Sequence, residues 1–188
     1  FGAEFGIPHR HAGYEGLAAD AEVDIVYVAT PNALHRENML MCLEAGRAVL
    51  CEKPFTLNAA EAEEVLTVAR AQRRFVMEGM WTRFFPAWRQ VREWLADGKI
   101  GEARLVKADV CFRRPFDPAR RNYVLNLGGG ALLDLGVYPL ALAQMVFGAE
   151  PVGITGCAAI GVTGVDEQSG YLLRYAGGQM ALLGASLQ

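Results

Sequence analysis

Three short apolar runs, separated by segments of helix length, occupy the first eighty residues, and few folds accept that rhythm. Asp24 to Thr30 (DIVYVAT) is almost continuously apolar, the pattern of a strand buried on both faces of a parallel sheet. Pro31-Asn32 breaks it. Leu34 to Ala45 follows with helical spacing, Met39, Leu40 and Leu43 sharing a face and Gly46 supplying a stop. Arg47 to Cys51 (RAVLC) reads as a second strand, closed by Glu52-Lys53-Pro54. Asn58 caps the next helix, with Glu61 three residues on as in a capping box; Ala62, Val65, Leu66 and Ala69 form its inner stripe. Phe75 to Glu78 is a third strand. Strand, helix, strand, helix, strand is the βαβ order of a doubly wound sheet, whose crossovers are nearly always right-handed.

The rhythm changes near Met80-Trp81. Pro86 opens a helix with Trp88, Val91 and Leu95 as its apolar stripe, ended by Gly98. Arg104 to Phe112 alternates, placing Val106, Ala108, Val110 and Phe112 on the face toward a core, as in an antiparallel sheet. A helix is expected from about Ala131 to Phe147, then two or three strands with a hairpin turn at Gly177-Gly178. The fold class is therefore α/β: a partial parallel-sheet domain over residues 1–80, lacking its first βαβ, then an α+β domain with a mostly antiparallel sheet over residues 81–188.

Composition excludes several function classes. The 188 residues carry a net charge of -3 without any basic run, so no electrostatic footprint for nucleic acid is present. Apolar stretches are broken by Gly, Pro or charge short of the ~20 residues a membrane span needs, and no signal peptide is evident. Cys42, Cys51, Cys111 and Cys157 show no CxxC pairing, which argues against a disulfide framework or a metal site and for reduced thiols in a cytoplasmic protein. Phe1 and Leu187-Gln188 read as cut ends, so an internal segment of a longer protein is expected.

Candidate chemistry falls in two places. Loops at the carboxyl ends of parallel strands take ligands in open α/β sheets. Here they hold Thr30, Pro31 and Asn32, with His35 just beyond, then Glu52 and Lys53, then Met80-Trp81. Asn32 is either a ligand group at a helix start or only a cap. Lys53, held extended by Pro54, is either an acid/base lysine or a loop lysine paired to Glu52. The second place is Gly128 to Pro139 (GGGALLDLGVYP). Asp134 and Tyr138 are four apart and share a helix face amid leucines, as substrate groups or as a satisfied core pair. Pro139 should kink or restart that helix. No GxGxxG occurs anywhere in the chain.

Taken together, VDIVYVATPNALH (Val23 to His35), AGRAVLCEKP (Ala45 to Pro54) and GGGALLDLGVYPL (Gly128 to Leu140) resemble the Gfo/Idh/MocA oxidoreductase family over essentially the whole chain. Met80 to Phe84 (MWTRF) resembles the dihydrodiol and xylose dehydrogenase branch. The resemblance implies a Rossmann domain followed by an α/β domain whose open sheet mediates dimerisation. It implies a cofactor site lined by Thr30, Pro31, Asn32, His35, Glu52 and Lys53, with Trp81 and Arg83 close to it, and Lys53 as the catalytic lysine. Tyr138 stands where many members have histidine, so it would be the acid/base phenol, with Asp134 orienting substrate or lysine. The cofactor is NADP or NAD, the branch leaning to NADP; the residues that read the adenosine ribose are absent here.

The expected activity is hydride transfer between nicotinamide and a CH–OH or carbonyl group of a sugar, polyol or cyclic trans-diol. The Lys53 ammonium and the Tyr138 phenol would meet around one reacting carbon. Rival expectations are an NAD-using glycoside hydrolase of the same superfamily and a non-catalytic NAD(P)-binding regulator. Substrate choice is expected to lie in Arg113 to Leu127, where Arg120, Arg121 and Asn122 could meet hydroxyls. Residues 1–188 alone are expected to bind cofactor poorly.

Overall fold

In the computed structural model, which describes residues 2–188, the chain divides into two compact units, Phe1–Gly79 and Met80–Gln188. Residues 2–13 form turns, bends and irregular chain up to helix α1 (Tyr14–Ala19). Strands β1 (Ile25–Val28), β2 (Ala48–Cys51) and β3 (Val76–Glu78) then alternate with helices α2 (His35–Glu44) and α3 (Ala59–Gln72). The strands form a parallel sheet in the order β1-β2-β3, with Val26 opposite Val49 and Val49 opposite Val76.

All three helices cover the same face of this sheet. Ala18, Met39, Cys42, Leu43, Val65 and Ala69 pack on Val26, Val28, Val49 and Cys51. Met39, Leu43, Val49 and Val65 lose all exposure, each burial contributing roughly 1.5–3 kcal/mol. The expectation that β1 is buried on both faces is corrected: Ile25 and Tyr27 are exposed. Both crossovers of a β1-α2-β2-α3-β3 run are right-handed in such folds and so fall on one side, leaving the other side of these strands uncovered. Asn58 caps α3 as expected, its Oδ1 accepting Glu61 N–H at 3.0 Å. The Glu61 carboxylate, however, reaches back to Leu57 N–H at 3.1 Å.

The second unit contains helix α4 (Pro86–Ala96), strand β4 (Leu105–Cys111), helix α5 (Val137–Phe147) and strands β5 (Gly153–Ile160), β6 (Asp166–Arg174) and β7 (Met180–Ser186). Its sheet runs β4-β7-β6-β5; β5, β6 and β7 are antiparallel neighbours, and β4 joins β7 in parallel. The β6–β7 hairpin turns at Gly177-Gly178, closed by Tyr175 N–H to Gln179 O at 3.0 Å. Along β4, Val106 faces the core with Ala108 and Val110, but Phe112 lies beyond the strand end and is exposed. In α4 the stripe Trp88, Val91 and Leu95 is only half-buried.

The expected helix from Ala131 begins with a wide π-helical turn, Leu132–Gly136, before α5. Pro139 has no N–H to return to Leu135 and crowds that carbonyl in an α-helix; the widened turn ahead of it relieves the crowding. By length and composition alone, the 23-residue segment Leu125–Phe147 reaches membrane-span size, but its backbone leaves the helix at Gly128 to Gly130. Gly128 to Gly130, Asp134, Gly136 and Pro139 interrupt its apolar sequence, as expected. Within it, Ala131, Leu135 and Ala143 pack against the sheet through Ala181, Leu183 and Ala185.

Candidate active site

In the first unit, the carboxyl ends of β1, β2 and β3 gather three loops. The His35 ring is fully buried between two of them. Its Nδ1 lies 2.8 Å from Pro54 O and its Nε2 2.9 Å from Thr30 O. Both partners are backbone carbonyls, so the imidazole lies between the loop after β1 and the loop after β2 and donates to one of them in either neutral tautomer. Asn38, one turn further along α2, donates from Nδ2 to Thr30 Oγ1 at 3.1 Å. Asn32 opens a short 3₁₀ turn and is buried. Thr30, Pro31 and Asn32 thus sit on a loop fixed from below by α2.

Glu52 and Lys53 follow β2, and the Lys53–Pro54 peptide is cis. One Glu52 oxygen accepts the Tyr27 hydroxyl from β1, and the other accepts Lys53 N–H at 3.1 Å. The bond to Glu52 pushes the Tyr27 phenol up to about 12, so the tyrosine is the donor in that pair. Glu78, at the end of β3, accepts Phe55 N–H at 3.0 Å. Gly79 N–H returns to Cys51 O at 2.6 Å. Lys53 therefore sits on a turn whose backbone is gripped by side chains from β3, from α2 and from its own neighbour Glu52.

In the second unit, the π-turn carries Asp134 and the first turn of α5 carries Tyr138. Asp134 is buried and accepts Asn122 Nδ2 at 2.6 Å, with Arg114 at 3.4 Å and Arg121 at 3.5 Å. A buried carboxylate persists only with such partners. Of the residues expected to read substrate hydroxyls, Asn122 and Arg121 are engaged with Asp134, while Arg120 is exposed. The Trp81 indole N–H donates to Tyr138 Oη at 3.1 Å, and the two rings meet edge-on at 5.8 Å. Arg83 donates to Gln144 on α5 at 3.1 Å. Trp81 and Arg83 are thus brought to the helix that carries Tyr138.

Each of the three glycines before the π-turn has its own reason to be glycine. Gly128 and Gly130 adopt φ of 74° and 122°, conformations that side chains resist. At Gly129 a Cβ would lie 2.7 Å from Asn122 O, so the backbone passes too close to another strand of chain for any side chain. Asp166, the first residue of β6, accepts Leu132 N–H at 2.8 Å and Ser169 Oγ–H at 2.7 Å. It pins the first turn of the helical run, an anchor that sequence reading missed, as it missed Asn38 and Glu78. Only chain topology brings these residues near their partners; none stands in a local motif that announces it.

Among the described residues, no group of three or more His, Cys, Asp or Glu side chains could hold a metal ion. Cys42 and Cys51 are buried, as expected, and burial pushes both thiols up.

Comparison with known proteins agrees with this architecture. Residues 1–80 match the oxidoreductase family with an NAD-binding Rossmann fold, and residues 88–188 match the GFO/IDH/MocA C-terminal domain. A trans-1,2-dihydrobenzene-1,2-diol dehydrogenase from Mus musculus is 44% identical over 95% of this chain and 53% of its own. The crystal structure of an aldose-aldose oxidoreductase from Caulobacter crescentus, complexed with glycerol, superposes with a TM-score of 0.91 at 30% identity, over 99% of this chain and 58% of that one. A 3-ketoreductase from Actinomadura kijaniata, in complex with TDP-benzene and NADP, superposes with a TM-score of 0.82 at 34% identity, over 93% of this chain and 54% of that one. The chain spans about half the length of the curated relatives it matches. On the match of its two parts to the family's two domains, the chain belongs to the Gfo/Idh/MocA oxidoreductase family.

Proposed function

We propose that the complete protein carrying this chain is an NAD(P)-dependent dehydrogenase. It transfers hydride between nicotinamide and a CH–OH or carbonyl carbon of a sugar, polyol or cyclic trans-diol. The observation that carries this reading is the Tyr138 phenol, its oxygen held by the Trp81 N–H, one helical turn from a buried Asp134 that Asn122, Arg114 and Arg121 partner. Relatives named as dihydrodiol dehydrogenase and aldose oxidoreductase support the substrate class.

The donor set suits a nicotinamide cofactor: a cation, a buried amide and backbone groups stand at the carboxyl edge of a parallel sheet. Thr30, Pro31, Asn32, Glu52 and Lys53 would hold it, with Trp81 and Arg83, while His35 would act through the loops it ties together. NADP is the proposed form, supported by the NADP complex of a relative. When bound, the nicotinamide supplies the hydride acceptor.

Tyr138 and Lys53 are the proposed acid/base groups for the substrate's hydroxyl proton. Asp134 orients the reacting groups and holds the loop that carries Asn122 and Arg121. The protein is proposed to be cytoplasmic and to pair as a dimer through the open face of the four-stranded sheet. Leu105, Met180 and Leu182 are exposed there on adjacent strands.

The test is NADP reduction by the complete protein against aldoses, inositols and aromatic trans-dihydrodiols. Net NADPH formation separates this reading from a hydrolase that returns its hydride. Lys53→Met should cut turnover by ~10²–10⁴, a far larger loss than any weakening of cofactor binding. Turnover within a few-fold of the parent would remove Lys53 from the mechanism.

A further inference from the structure

The loop after β2 is held by three consecutive backbone groups. Lys53 N–H goes to Glu52, Pro54 O to His35, and Phe55 N–H to Glu78. The first bond is local. The second comes from α2 and fixes only the carbonyl side of Pro54. The third comes from β3, the strand hydrogen-bonded next to β2, with Glu78 in register with Cys51. A β3 carboxylate thus reaches over the end of its neighbour to the far side of the Lys53 turn. Gly79 reinforces this from the backbone, donating to Cys51 O at 2.6 Å; a Cβ at Gly79 would come within 3.1 Å of that same oxygen.

We propose that Glu78 is a positioning residue for Lys53, fixing the far end of the lysine turn through its bond to Phe55 N–H. The role rests on the reading of Lys53 as an acid/base group. Glu78 touches no reacting atom in this role. Its effect is to keep the lysine backbone in one place, and misplacement of a catalytic group by ~1 Å can cost ~10²-fold in rate. An acceptor at the right reach is what the bond requires; a negative charge is not.

Two conservative variants separate reach from charge in the complete protein. Glu78→Gln keeps an oxygen at the same distance without the charge. Glu78→Asp keeps the charge but withdraws the oxygen by about one C–C bond, ~1.5 Å, which carries a 3.0 Å contact out of hydrogen-bond range. Glu78→Gln should retain kcat within ~3-fold of the parent. Glu78→Asp should lose ~10–100-fold in kcat with substrate KM nearly unchanged, as expected for displaced catalytic geometry. Amide hydrogen exchange at Phe55, read by mass spectrometry or NMR, should accelerate in Glu78→Asp and stay at the parental rate in Glu78→Gln.

The reverse ranking, or equal losses in both variants, would overturn the proposal. So would faster exchange at Phe55 with undiminished kcat, or unchanged exchange in Glu78→Asp. The exchange measurement is independent of the reaction. A parent protein that reduces no nicotinamide would therefore sink the dehydrogenase reading, and the positioning role with it, while leaving the Glu78–Phe55 bond to be judged on exchange alone.

Discussion

Replacing Gly129 by alanine isolates the close approach that builds the Asp134 site. The added Cβ would stand 2.7 Å from Asn122 O and 2.9 Å from both Arg121 O and Asn122 C, all backbone atoms. No rotamer change can relieve contacts with backbone, so the 121–123 turn must move by roughly half an ångström or more, an overpacking strain of about 1–3 kcal/mol. The same movement carries Asn122 away from Asp134, whose 2.6 Å bond it donates. A hydrogen bond to a charged group contributes about 1.5–3 kcal/mol. The two terms sum to roughly 2.5–6 kcal/mol if both are lost in full, and partial relaxation sets the lower end. Gly148→Ala is the internal control. Gly148 has a φ of 60° but nothing within 4 Å of its would-be Cβ, so that variant costs only the left-handed backbone, about 1–2 kcal/mol. Urea or thermal unfolding of the complete protein compares them directly, at roughly 2–4 °C of Tm per kcal/mol for a domain of this size. A Gly129→Ala protein as stable as Gly148→Ala would refute the reasoning, because the ranking depends on the backbone contact and not on backbone conformation.

Two further outcomes follow from the first unit. Burial, reinforced by the Glu78 and Glu52 carboxylates, pushes the Cys51 thiol up from 9.0 to about 12. The unfolded chain ionises first, so this stability is fully present below pH 9 and is lost as pH rises toward about 12, by about 1.4 kcal/mol per unit. Cys51→Ala should flatten that alkaline decline in urea titrations; an unchanged slope would exclude the thiol as its source. Asn58→Ala removes the Oδ1 that caps α3 and should cost about 1 kcal/mol, whereas a loss below ~0.3 kcal/mol would show that the cap is replaced by water or by Thr56.

Local periodicity in the sequence determined the order and type of nearly every element. The alternation of apolar strands with amphipathic helices yields β1-α2-β2-α3-β3 because each pattern matches the period of its own backbone. The Asn58 cap, the Pro86 helix start and the Gly177-Gly178 turn were legible for the same reason: their physics lies within four residues. Lys53, Asp134 and Tyr138 stood out as chemistry-bearing residues in unusual settings. What surrounds them did not. Asn122 and Arg114 reach Asp134 across 12 and 20 residues, Asp166 holds Leu132 across 34, and Glu78 grips Phe55 across 23. Partners at such separations are chosen by strand register and loop path, which no window of sequence contains. The same holds for the bare face of β1. A run of apolar side chains shows that a strand can be buried on both sides, but handed crossovers place both connecting helices on one. Tertiary structure alone decided which groups would be held still around the lysine and the carboxylate.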